Sequence, residues 1–220
     1  VLSCLLKVMK GLKRIKNKIT GVQFWDKRHS LFLYRSLPNV RTGGNMTMTI
    51  IADLFNKRMF DKAEEIFINW DGSADNVNYT CLFGFVHILL CAEIDGSPLR
   101  SITILRFLVG HTHDELDATF GQASQETYGT HSRGDSRRDI LDFQDLNNFM
   151  HGCFEGRLKA FEHLQGTWNW DDFIRPYKNN AIKGIQKHFA MQLQVRNKHT
   201  HVYTHTHIHT HTHSHLSTPY

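Results

Sequence analysis

Two stretches constrain this chain more than any other. Residues 65–76 (EIFINWDGSADN) and 102–122 (ITILRFLVGHTHDELDATFGQ) each carry a short apolar run that stops at a polar cluster rich in Asp or His. Short apolar runs bounded by turn residues read as strands buried on both faces, the kind that parallel sheets contain. A helix-like segment follows each run. The pattern predicts two parallel strands that deliver carboxylates to one edge of a sheet.

The rest of the chain is read around that edge. Residues 1–18 are helix-permissive, with six Lys and Arg threaded among Leu and Ile; as a basic arm they would contact phosphate, and as a solvated helix end they would contact nothing. Residues 19–25 and 31–37 are β-rich, and Asp26, Lys27, Arg28 and His29 between them predict a hairpin loop. A turn at 42–45 places Asn45 as an N-cap, and a helix follows over 46–60. Next come a strand over 65–70, a long buried helix over 76–94 and a break at residues 95–98. A strand over 101–109 and a helix over 114–124 follow, the helix with Asp114, Glu115 and Asp117 in its first turn, where acids suit the dipole. The order β-β-α-β-α-β-α predicts an α/β fold with a mixed sheet and crossover helices. Residues 127–138 read as a loop, 139–161 as helix, and 166–177 (GTWNWDDFIRPY) as an aromatic segment that packs back on the body. In that segment Trp168 and Trp170 suit a core role better than a base-stacking one. Residues 181–195 form a last helix or strand.

Residues 199–215 (HTHVYTHTHIHTHTHSH) are a different material and hold eight of the sixteen His. His-rich tracts capture divalent metal. The simpler reading is a translated CA dinucleotide repeat, since CAC and ACA encode His and Thr, and it predicts a disordered tail. Composition bounds the function only loosely. Forty per cent apolar residues and fifteen Phe among 220 residues can build one core. An excess of five positive charges suits nucleic acid without demanding it. The four cysteines are scattered, with no CxxC, which points to free or buried thiols. The apolar run at 81–92 is too short to span a bilayer and contains His87, and no secretory leader is recognisable, so a nuclear or cytoplasmic location is expected, with no membrane partner. The start at Val1 reads as a fragment or a gene-model translation.

Asp71 directly follows one predicted strand, and Asp117 lies one turn into the helix after the other. Carboxylates at the ends of neighbouring parallel strands face one crevice. Within a few ångströms of each other they can share Mg²⁺ or Mn²⁺, which prefer oxygen ligands. Asp75, Asp114 and Glu115 are reserves. His111 and His113 flank Thr112 in a turn, where they can ligate metal, touch phosphate or hold the Asp71 loop. The bland alternative stands beside this: Asp after a strand is also a common turn-former and N-cap. Nothing suggests a P-loop, a dinucleotide fingerprint or a small-molecule cofactor.

Four motifs, at residues 42–49 (TGGNMTMT), 71–76 (DGSADN), 108–120 (LVGHTHDELDATF) and 170–176 (WDDFIRP), resemble in order and spacing a transposon-derived domain of unknown function related to DDE-type transposase and integrase catalytic cores. The resemblance covers residues 16–195 and implies an RNase H-like sheet whose acids bind Mg²⁺ for cleavage and transfer of DNA strands. It matches Asp71 to the second acid, Asn76 to the amide that follows it, Asp117 to the acid on the helix after the GHTH turn, and His111 to the turn histidine. His113 and Glu115 support the same site. The family's first strand carries its own Asp, whereas residues 1–15 contain no acid and Asp26 sits in a hairpin loop, a poor substitute. Leu108 also stands where the family commonly has a residue suited to a tighter turn. The expected organisation is a basic segment (1–15), an incomplete RNase H-like core lacking its first strand (16–126), a loop (127–138), a helical and aromatic extension (139–196) and a disordered tail (197–220). The expected function is ancestral metal-dependent DNA cleavage or transfer, catalytically incomplete in this chain. The alternatives are a non-catalytic nucleic-acid-binding or scaffold module, or a gene-model fragment with no function.

Overall fold

The computed structural model describes residues 18–70, 78–106, 118, 120, 121, 123, 140, 142–180, 190–196 and 199–205. Among them the chain is α/β, with seven strands in two small mixed sheets, four α-helices and one 3-10 turn. It divides into two compact units, residues 1–40 with 119–166 and residues 41–118 with 167–220.

In the first unit, β1 (Lys18–Gln23) and β2 (Leu31–Ser36) form the predicted antiparallel hairpin. Asp26 organises its loop. One carboxylate oxygen accepts from the Arg28 and Ser30 N–H groups at 3.0 and 2.9 Å, and the other from the Ser30 hydroxyl at 2.6 Å. These bonds, led by those from Ser30, hold the carboxyl below its ordinary pKa. The reading of helix over 139–161 is corrected. Helix α3, third in chain order (Phe143–Cys153), is begun by Asp142, whose carboxylate accepts from the Asp145 N–H at 2.8 Å. The helix ends at Cys153, with Phe154 as its C-cap, and Gly156 then takes φ 76°, a left-handed conformation that suits glycine. The chain continues as β5 (Leu158–Leu164), parallel to β2. Phe143 packs on Phe161 across this unit at 5.7 Å, and the Arg35 guanidinium lies 4.6 Å from the Phe143 ring.

The second unit holds the elements that matter for the site. β3 (Glu65–Trp70) and β4 (Ser101–Arg106) are adjacent and parallel, with Glu65 opposite Ser101 and Trp70 opposite Arg106. Strand β6 (Ala190–Arg196) pairs antiparallel with β4, and β7 (His199–His205) antiparallel with β6. The first part of the Thr/His tract is therefore a strand, which corrects the expectation of disorder throughout residues 197–220. Alternating Thr has the β-branched propensity and two-residue period that a strand needs. Of the segment read as helix or strand over 181–195, residues 190–195 lie in β6, whereas residues 181–189, like residues 107–109 of the predicted fourth strand, lie outside the described residues.

Helices α1 (Gly44–Asn56) and α2 (Tyr79–Ile94) cover the sheet, with short α4 (Trp170–Ile174) beside them. Helix α2 is apolar almost all round. Phe85, Ile88, Leu89 and Ala92 are buried with Ile102 and Ile104 of β4 and Met191 and Leu193 of β6. Gly84 lets α1 approach, because a Cβ there would meet Met48 at 2.6–2.8 Å. The predicted single sheet is instead divided: β1 and β2 belong to one sheet with β5, and β3 and β4 to the other. Ala118, Phe120, Gly121 and Ala123 are helical, within the segment read as helix over 114–124.

This packing sets a stability contrast along α2. Leu89 is fully buried, while Ile94, at the end of the same helix, is 82 % exposed. Leu89→Ala should lower the unfolding free energy by about 3 kcal/mol, through lost transfer energy and the cavity left behind. Ile94→Ala should change it by less than about 0.5 kcal/mol. Urea unfolding followed by circular dichroism distinguishes the two.

Candidate functional site

The strand ends come together as predicted. β3 and β4 run side by side in one direction with no shift in register, so their last residues, Trp70 and Arg106, finish at the same edge of the sheet. Asp71 is the next residue after Trp70 in the chain. All six predicted site residues, Asp71, Asn76, His111, His113, Glu115 and Asp117, lie outside the described residues, as do the reserves Asp75 and Asp114. Among the described residues no three His, Cys, Asp or Glu side chains converge to hold a metal ion.

At this end of the unit the structure shows a polar junction instead. Asp171, in the first turn of α4, is its hub. The Asn45 side-chain amide donates to its carboxylate at 3.2 Å, and the Thr80 hydroxyl donates to the other carboxylate oxygen. The Asp171 N–H returns a bond to the Asn45 side-chain oxygen at 3.0 Å. Asn45 and Thr80 are each the second residue of their helix, so the carboxylate lies where the dipoles of α1 and α2 favour negative charge. A second path runs through Thr49, whose hydroxyl donates to the Asn45 carbonyl at 2.7 Å and accepts from the Trp168 N–H at 3.0 Å.

The close approach of the two helix starts depends on glycine. A Cβ on Gly44 would lie 2.7 Å from the Asn78 side-chain oxygen and 2.9 Å from Thr80 Cβ. That Asn78 oxygen is the N-cap of α2 and accepts from the Cys81 N–H at 3.0 Å. Gly43 precedes α1 with φ 86°, which explains the second glycine of the pair. Asn45 is not the N-cap expected from the sequence. It lies inside α1, buried, and spends its side chain on the long-range bonds to Asp171. The signal was available, since TGGN and WDD are two of the four motifs, but nothing in one sequence says that they touch.

Beneath the junction sits an aromatic layer. Trp170 and Ile174 are buried, so this part of residues 166–177 packs on the body, but Trp168 does not have the core role expected of it. Trp168 stacks on Trp170 at 6.0 Å and is 60 % exposed. Phe173 meets both Trp170 and His87 edge-on, at 5.8 and 4.8 Å. His87 lies 3.5 Å from the Cys91 sulfur, one helical turn away. Desolvation pushes the His87 pKa down, and burial pushes the Cys81 and Cys91 thiols up, so neither thiol has the lowered pKa of an activated nucleophile. The chemistry of the described part is hydrogen bonding and aromatic contact around the mouth of the sheet edge.

The model of a domain of unknown function, DUF7869, matches residues 7–212 of the chain. No curated protein and no solved structure matches it.

Two expectations follow from this geometry. Asp171→Ala strands the Asn45 amide and the Thr80 hydroxyl, and should cost about 2–3 kcal/mol in urea unfolding, whereas Asp172→Ala, on the exposed side of the same turn, should cost less than about 1 kcal/mol. The second concerns pH. Because the folded state holds His87 below its unfolded pKa, stability is full above about pH 6.5 and falls as acid protonates the unfolded chain more readily than the folded one. Thermal melts between pH 7.5 and 5 should show a smaller loss for His87→Gln than for the wild type.

Proposed function

We propose a function for this chain, which belongs to the DUF7869 family: it is a transposon-derived, RNase H-like domain whose ancestral reaction is metal-dependent cleavage or transfer of DNA strands. One observation supports the reading above the others. The parallel, in-register pairing of β3 and β4 brings the chain to Asp71 and towards the GHTHDELD segment from one edge of one sheet. Among the described residues the order β1, β2, α1, β3, α2, β4 is compatible with the later part of an RNase H-like fold, although its strands divide between two sheets.

In this reading Asp71 and Asp117 hold Mg²⁺ or Mn²⁺, and His111 shapes the turn or touches phosphate, with Asn76, His113 and Glu115 in support. The metal would supply water activation and stabilisation of the leaving alkoxide. Asp75 and Asp114 are the further carboxylates in the same two segments. The net charge of +5 favours a polyanionic partner. The first acid of such sites has no counterpart within residues 1–15, which contain no Asp or Glu.

A second reading, a non-catalytic nucleic-acid-binding or scaffold module, is favoured by Asp171. The acid that the structure does place at the helix starts is already engaged in holding them together. Calorimetric titration with Mg²⁺ separates the two, because the imidazoles of the Thr/His tract are poor ligands for that hard ion. The first reading expects Mg²⁺ binding that weakens at least about tenfold, or 1.4 kcal/mol, in Asp71→Asn with Asp117→Asn. Binding that is absent, or indifferent to both substitutions, leaves the module. Supercoiled plasmid should remain intact in either case, and nicking that Asp71→Ala abolishes would show a complete site.

A further inference from the structure

Among the described residues strand β3 is an edge of its sheet, since the order is β3-β4-β6-β7. Its free side has an assignable set of donors and acceptors. The Glu64 carbonyl accepts from the Arg100 and Ser101 N–H groups at 2.8 and 3.3 Å, which fixes the phase of the pairing with β4. By the two-residue alternation of a strand, Ile66 and Ile68 direct their backbone groups to β4, and Glu65, Phe67 and Asn69 direct theirs outward. The edge carries none of the usual protection: no Pro, no Lys and no bulge. Glu65 does not guard it either, because its carboxylate turns back across the sheet to accept from Thr103 at 3.1 Å and Gln192 at 3.2 Å.

The side chains are also incomplete on this side. On the helix-covered face, Ile102 and Ile104 of β4 are 1 % exposed, but their β3 neighbours Ile66 and Ile68 are only partly buried. On the opposite face Phe67 is 64 % exposed. We propose that the β3 edge is a homodimer interface, in which two copies of the chain pair antiparallel through Glu65–Asn69 about a two-fold axis at Phe67.

The segment is complementary to itself in that register. Phe67 pairs with Phe67, and Glu65 with Asn69, as hydrogen-bonded pairs that use the outward backbone groups of all three residues. Ile66 faces Ile68 in the pairs between, so the apolar layer over β4 continues into the second copy. No like charges are opposed. Shifting the axis to Ile66 or Ile68 leaves fewer of these residues paired. A two-fold interface of this kind closes on itself and limits assembly to a dimer. The inference does not depend on any metal or nucleic acid.

Light scattering on the full chain, over a dilution series, should give twice the chain mass. Phe67→Lys should give the monomer mass with an unchanged far-ultraviolet spectrum, since the side chain is exposed. Register is tested in the otherwise native chain. A short bismaleimide should join two Phe67→Cys chains, but not two Asn69→Cys chains, whose residues 69 would be about 14 Å apart along the strands. A monomer at all concentrations overturns the proposal, as does equal crosslinking at both positions. Protection of the Phe67 amide from exchange in a monomer would show the edge covered by the chain itself, and would overturn it too.

Discussion

The second unit depends on bringing two helix starts together, an arrangement that puts several unsatisfied N–H groups in one small region. Asp171 resolves that concentration of positive dipole. Its carboxylate is bonded by Asn45 of α1 and Thr80 of α2, and its own N–H is taken up by Asn45. A carboxylate at that point is favoured by both helices, and its hydrogen bonds tie α4 to each of them. The neighbouring residue, Trp170, is thereby set into the core formed by Cys81, Phe85 and Leu89. One side chain thus couples a local electrostatic need to the closure of the hydrophobic layer, and residues more than 120 positions apart become one structural unit.

That closure positions the strand ends. Helix α2 connects β3 to β4, and such a crossover makes the two strands parallel neighbours only if the helix packs back on the sheet. Its nearly uniform apolar surface does so, against Ile102, Ile104, Met191 and Leu193. The start of α2 is held by Asn78 and Thr80 at the same end as Trp70 and Arg106. Any chemistry at the sheet edge therefore inherits its frame from bonds made by Asn45, Thr80 and Asp171. In this sense the conspicuous acids and histidines of the sequence are only half of the pattern, and the quieter TGGN and WDD words supply the other half.

Local signals were legible where the element is decided by its own residues. The hairpin around Asp26, the β3 boundaries, the β4 start and the body of α2 all follow from alternation, apolar runs and turn residues close by in the chain. The site could be read only as far as the pairing of the strands, because its named residues fall outside the described parts. Readings failed where a distant partner decides. Asn45 looks like a cap because a short polar residue before an apolar run usually is one, yet a buried partner in α4 claims it. Residues 158–164 look helical beside α3, because LKAFEHL has helix formers throughout, but the helix stops at Cys153 and β2 offers a ladder. The division of the strands between two sheets is likewise set by β5, which enters from far along the chain.

The Thr/His tract shows that the origin of a segment and its structure are separate questions. Alternating residues, whatever encodes them, have a strict period of two, the period of a strand. It contains no Pro or Gly to interrupt pairing over residues 199–205, and Thr contributes β propensity. What it needs is a template, and β6 is one: Met191 and Leu193 are anchored in the core, and one side of the strand already pairs with β4. Residues 199–205 then add to the other side in unbroken antiparallel register, from Arg196 with His199 to Ala190 with His205. Main-chain hydrogen bonds need no selected side chains, so a segment of low information content can still complete a sheet when a buried strand stands next to it.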